Sequence, residues 1–274
     1  DGSESVSVSI SGIPDGAVLS DADGNPIEVT AGSAELSPDQ LAGLTITPPE
    51  NSDVDFTLDV AVTTTDGDDT TTVEGQIDVD VAADADAPSL DLTDAATGNE
   101  DTAIDLDISS ALTDVDGSET LSITISGVPD GAELSAGTDN GDGTWTAEPG
   151  AVSGLQSTPP EDFAGGFDLA VDATTTEGEG GDTATTSGTI SVTVDAVADA
   201  ADVAAADASG SEDTAIPLNI TAASTDTDGS ESLSVTISGV PDGAVLADAD
   251  GNAIDVTDGR VELTDGEVLD GMLT

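Results

Sequence analysis

Cysteine, histidine, lysine and tyrosine are all missing from these 274 residues, and the sole basic side chain is Arg260. Without cysteine no disulfide can staple the fold and no thiol can react. Without histidine the commonest general base and the commonest transition-metal ligand are gone. Four aromatic residues, Phe56, Trp145, Phe163 and Phe167, are too few to line a sugar-binding cleft. Paired acids could hydrolyse a glycoside only in such a cleft, so catalysis is set aside and the chain reads as a non-enzyme. No apolar run approaches the roughly 18 residues of a membrane span, and no signal-peptide pattern opens the chain. No membrane insertion is expected from this segment.

What is present is acid: 59 Asp and Glu residues give a formal net charge of −58. Nucleic acid and acidic lipid would be repelled, so neither is expected as a partner. High charge with few aromatics is also a signature of disorder. Leu, Ile, Val and Phe barely exceed the ~20% below which disorder is expected, so arrangement must decide.

The arrangement is a repeat. Asp1-Gly-Ser-Glu4 returns at Asp116 and Asp228, steps of 115 and 112 residues. "NEDTAIDLDI" at 99–108 returns as "SEDTAIPLNI" at 211–220, and "LAGLTITPPENSDVDF" at 41–56 as "VSGLQSTPPEDFAGGF" at 152–167. Long phrases kept in one order mark an internal repeat of domain size. The expected domains are 1–85 (lacking its first strands), a complete 86–198, and a truncated 199–274. The chain opens inside a repeat and without Met, which reads as a window on a longer protein.

Within each unit the apolar period is two. Leu121, Ile123 and Ile125 alternate with Ser and Thr, as do Phe167, Leu169 and Val171, then Ile190, Val192 and Val194. This is the pattern of a strand with one wet face. Turn words such as "VPDGA", "TDNGDG" and "TEGEGGD" separate the runs. About seven short strands per unit and no notable helix predict an all-β fold of tandem Greek-key β-sandwiches, immunoglobulin- or cadherin-like, arranged end to end. Trp145 falls where the first unit has Ala34 and reads as a packing or rim residue.

Like charges at 4 Å repel by about 1 kcal/mol even in water, so clustered acids need a cation the chain itself cannot supply. Ca²⁺ takes six to eight carboxylate, carbonyl and water oxygens and is the expected cofactor. In the complete unit Asp114, Asp116 and Glu119 share one loop, Glu100 and Asp101 precede a strand, and Asp84 and Asp86 lie in the linker before it. The third unit repeats the set as Asp199, Glu212, Asp213, Asp226, Asp228 and Glu231; the first keeps Asp1 and Glu4. These are the candidate metal ligands, expected to meet at the junctions between neighbouring repeats. The acidic turns at 20–25, 65–69, 138–143, 176–182 and 247–252 are weaker candidates. "DADGN" is not an EF-hand, because its glycine is the fourth residue and no acid closes a 12-residue loop.

The ordered set "NEDTAI…TDVDGSE…ISGVPDGA…PPEDF…ATTTEG…GTISVTV" closely resembles the tandem immunoglobulin-like, cadherin-like repeats of giant bacterial RTX-type adhesins, exported by type I secretion. The likeness covers essentially the whole chain. It implies extracellular extender domains at the bacterial cell surface, rigidified by Ca²⁺ at their junctions, that hold a terminal binding region away from the cell and support adhesion or biofilm formation. The alternative is that the repeats themselves bind a ligand or associate laterally, copy against copy, into a fibre or surface layer. The third unit departs from the pattern in having Ala201 where the second has Pro88, which frees its linker.

Overall fold

The computed structural model describes residues 4–226, 228–248 and 250–264. Asp1, one of the expected ligands, lies outside them. Among the described residues there are 23 strands and two single-turn 3₁₀ helices, Pro38–Gln40 and Pro149–Ala151. No helix is long and apolar enough to cross a membrane. The architecture is all-β, in tandem β-sandwich modules. By packing, the chain divides into two compact units. One comprises Asp1–Asp91, Ser109–Thr124 and Asp172–Ser187; the other comprises Leu92–Ile108, Ile125–Val171 and Gly188–Thr274.

In the first repeat, Ser33–Leu36, Glu4–Ser11, Phe56–Asp66 and Asp69–Val79 lie in that order in one antiparallel sheet. Val8, Ile10, Leu19, Leu36 and Leu58 are buried at its core, with Phe56 packed against them. Among the described residues of the third repeat, Leu246, Val261 and Leu263 are buried together, with Leu218, Ile220, Val235 and Ile237 packed against them. In the second repeat a six-stranded sheet runs Thr138–Asp139, Thr144–Ala147, Glu119–Ser126, Gly165–Glu177, Thr183–Asp195, Ala95–Asn99. Glu133–Leu134, Leu155–Thr158 and Ile104–Leu106 form a second sheet. The last pair of the large sheet is parallel, with Ser191 opposite Ala95 and Asp195 opposite Asn99.

Alternation explains the core directly. Leu121, Ile123 and Ile125 are buried on one face of their strand, as are Leu169, Val171 and Ala173, while the residues between them face outward. Burying each Leu or Ile side chain contributes about 1.5–3 kcal/mol. The strands are more numerous than the pattern implied, because polar residues cut single runs into pieces. Asp107, for example, separates Ile104–Leu106 from Ile108–Ala111. Trp145 is half-buried beside the outermost two-residue strand, in keeping with a packing role. Pro88 is buried, and its carbonyl accepts the Thr186 hydroxyl at 2.7 Å; Ala201 is exposed.

Two equivalent backbone positions are tightly constrained, Gly12, where a Cβ would stand 2.5 Å from the Thr57 carbonyl oxygen, and Gly127. Gly127 has φ +82°, and a Cβ there would stand 2.4 Å from the Asp168 carbonyl oxygen. A left-handed backbone and a clash with main chain act together, so Gly127→Ala is expected to destabilise the second repeat by about 2 kcal/mol or more, read from urea unfolding. A change under half of that would mean the strand ends shift easily.

Candidate metal centre

The strands that build the core also deliver carboxylates to its ends. Glu119 occupies the same inward-facing parity as Leu121 and Ile123, and Glu177 the same parity as Val171, Ala173 and Thr175. Both acids therefore end buried faces, with exposures of 6% and 4%. Glu100 (3%), Asp114 (4%) and Asp226 (8%) complete five buried carboxylates. Arg260 is exposed, and no ion pair is recorded among the described residues. Buried charge is ordinarily paired or metal-bound, so this set stands out.

Their hydrogen bonds are one-sided. Glu119 Oε1 accepts the Asp86 N–H at 2.6 Å, Glu177 Oε1 accepts the Ser118 hydroxyl at 3.3 Å, and Glu100 Oε1 accepts the Val197 N–H at 2.5 Å. The second oxygen of each, Oε2, is buried with no hydrogen-bond partner. The other such atom among the described residues is the Ser157 hydroxyl. An orphaned buried carboxylate oxygen is costly, and in a chain with one base these three are the atoms a cation would have to satisfy.

Around Glu177 the groups of the first junction converge. A cavity of about 180 Å³ is lined by Asn51, Asp53, Asp84, Asp86, Asp114, Ser118 and Glu177, among others. Burial pushes the Glu177 carboxyl above its ordinary range, and the charges of Glu119, Asp53 and Asp114 push it further. Thr175 donates its hydroxyl to the Asp86 carbonyl at 2.6 Å, so both backbone groups of this linker residue are held by the second repeat.

At the second junction, carboxylate oxygens of Asp101, Asp162 and Asp199 lie within 4.8 Å of one another, the one trio this close among the described residues. Asp101 and Asp162 both adopt left-handed backbone, φ 55° and 56°, in turns that present their side chains together. Desolvation raises the Asp162 carboxyl, and Asp101, Glu161, Asp226 and Asp199 add to the effect. Glu231 Oε1 accepts the Asp199 N–H at 2.5 Å, repeating the Glu119–Asp86 bond.

Of the expected ligands, Asp84, Asp86, Asp114 and Glu119 gather at the first junction, and Glu100, Asp101, Asp199, Asp226, Asp228 and Glu231 belong to the second. Asp116 does not line the cavity; it is exposed, and its Oδ1 caps its own turn through Ser118 N–H at 2.8 Å, which lowers its pKa. Glu4 is exposed opposite Asp66, and Glu212 and Asp213 are exposed in a turn. Sequence reasoning missed Asp162 and Asp53, and placed Glu177, in the turn at 176–182, only among the weaker candidates. The turns at Asp21 and Asp248 are self-contained. Asp21 Oδ1 accepts the N–H groups of Asp23 and Asn25 at 3.0 and 2.9 Å, and Asp248 does the same for Asp250 and Asn252.

No protein-family model matches the chain, and no curated protein matches it in sequence. Among solved structures it is similar to fibronectin(III)-like modules of Clostridium thermocellum CbhA, at 12% identity and TM-score 0.21, over 68% of this chain and 80% of that one. It is similar to zebrafish RET cadherin-like domains 1 to 4, at 9% identity and TM-score 0.22, over 97% and 59%. A third is the collagen adhesin CNA of S. aureus, at 14% identity and TM-score 0.19, over 81% and 85%. None superposes closely enough to bear on function.

Proposed function

We propose that the chain is a run of structural extender repeats from a large, calcium-stabilised bacterial surface adhesin of the RTX type. In this reading the repeats act outside the cell, project a terminal binding region and support adhesion or biofilm formation. The observation that carries it is the set of orphaned Oε2 atoms on Glu100, Glu119 and Glu177, buried beside the linkers between repeats.

Ca²⁺ matches the donor set, which is entirely oxygen, and when bound it would neutralise charge that Arg260 cannot reach. At the first junction Glu119, Glu177, Asp114, Asp86, Asp84 and Asp53 would hold it; at the second, Asp101, Asp162, Asp199 and Glu100. The chain's own residues convert that binding into stiffness. Glu119 grips the linker N–H of Asp86 with one oxygen and offers the other to the cation, so linker position and metal occupancy are coupled. Glu231 repeats the grip on the linker N–H of Asp199 one repeat later, while its Oε2 accepts the Ser224 hydroxyl at 2.9 Å. Where free calcium is scarce the acids repel and the repeats stay loose, which suits export through a channel; outside the cell, binding to the folded state stabilises it.

Small-angle scattering tests this. Adding millimolar calcium to metal-free protein is expected to narrow the distance distribution and extend its maximum dimension, and equal ionic strength of NaCl should not reproduce that. Identical scattering in calcium and EDTA would refute the reading.

A further inference from the structure

Among the equivalent positions at which the two junctions differ, one pair has a hydrogen-bond donor at one junction and an acid at the other. Asp53 of the first repeat corresponds to Ala164 of the second, while Asp116 and Asp228 correspond in the repeats that follow. After the second repeat, the Ala164 N–H donates to Asp228 Oδ2 at 2.8 Å. This bond passes from one repeat to the next, uses no metal, and lowers the Asp228 pKa. The loop that carries it is fixed by a neighbouring bond, Asp162 N–H to Asp101 Oδ1 at 3.1 Å.

Among the described residues the first junction has no equivalent bond. Asp116 accepts from its own turn through Ser118, and Asp53 places a fifth carboxylate on the cavity wall with Asp84, Asp86, Asp114 and Glu177. The bond that crosses there joins Asn51 Nδ2 to the Thr113 carbonyl at 3.5 Å, the outer limit for such a contact. Both junctions gather acids, but the second sets a backbone donor against Asp228 beside its trio Asp101, Asp162 and Asp199, whereas the first adds Asp53 to its cluster in place of such a donor.

We infer that the junctions respond differently to loss of metal: the second stays closed on its own hydrogen bond, and the first opens and becomes the hinge. This rests on the calcium reading above. Loss of calcium therefore softens the chain at one place first, because repulsion in the first cavity has no metal-free bond of comparable quality to oppose it. The replacement of Asp53 by Ala164 sets which junction yields.

The absence of cysteine permits clean labelling. Spin labels at Val73→Cys and Thr189→Cys report across the first junction, and labels at Thr189→Cys and Val245→Cys across the second; all three sites are exposed. Pulsed electron–electron resonance is run in calcium and in EDTA. The expected result is one narrow distance peak for both pairs in calcium, and loss of that peak in EDTA for the first pair alone. Asp228→Ala should then make the second pair lose its peak in EDTA, and Asp53→Ala should restore part of the first. Simultaneous broadening of both pairs, or of the second before the first, overturns the inference and leaves the calcium reading standing. Distributions indifferent to calcium at both pairs overturn the calcium reading and this inference with it.

Discussion

Stripping divalent metal with EDTA is expected to lower the melting temperature by roughly 10 °C or more. A ligand held at 100 times its Kd stabilises by about 2.7 kcal/mol per site, and each kcal/mol moves the midpoint of a 100-residue domain by about 4–8 °C. The repeats are vulnerable because their cores are built mostly from small aliphatic side chains; among the described residues the first rests on Val8, Ile10, Ile13, Leu19, Leu36 and Leu58. The buried carboxylates, Asp114, Glu119 and Glu177 at the first junction and Glu100 and Asp226 at the second, are then left without a counter-charge. Differential scanning calorimetry gives the measurement, and the control is decisive. Millimolar calcium should restore the midpoint, whereas NaCl of equal ionic strength, which only screens, should recover little because the groups are buried. A midpoint indifferent to chelation would mean that the orphaned oxygens are simply endured.

The second large effect should be a reversal of sign. Glu177→Gln keeps the shape of a side chain that is 4% exposed and removes its charge. In EDTA the variant is expected to be more stable than the parent, because burial and the charges of Glu119, Asp53 and Asp114 already disfavour the ionised form. In calcium it should be less stable, with affinity at the first junction weaker by roughly tenfold or more as the ligand charge falls. The pH dependence supplies a separate check. A carboxyl raised in the folded state binds its proton more tightly there than in the unfolded chain. Metal-free stability therefore rises as pH falls through the raised range, and that gain is complete once pH is below the ordinary carboxylate value. Glu177→Gln should remove this part of the slope. Parallel melting curves for parent and variant in both EDTA and calcium would show that Glu177 touches neither charge nor metal.

How much of this was legible without coordinates depends on range along the chain. The strand Glu119–Ser126 could be read from its own residues, since the pleat alone dictates that Leu121, Ile123 and Ile125 share a face. Four of the five buried acids, Glu100, Asp114, Glu119 and Asp226, stood out because they recur in phrases. Glu177 did not, since "TEG" looks like any acidic turn and its partner Ser118 is 59 residues away. A signal was nevertheless present. Asp66 holds the matching place in the first repeat, and the register sets it opposite Glu4, the first repeat's counterpart of Glu119. An acid kept at the end of two paired strands, on the inward parity, is the pattern to seek. Asp162 was hidden for a related reason. Its equivalent is Asn51, so no acid recurs there, and what the two share is a left-handed backbone, φ 56° in both. The turns at Asp21 and Asp248, named only as weaker candidates, direct carboxylate oxygens to their own loops.

The parallel pairing of Ala95–Asn99 with Ser191–Asp195 governs what happens when the chain is pulled. These are among the earliest and latest strands of the second repeat, so tension enters through one and leaves through the other in opposite directions along a shared ladder. Its bonds are then loaded in shear, all at once, where an antiparallel terminal pair would peel open rung by rung. The repeat gains resistance to tearing from strand order alone, whatever ions surround it.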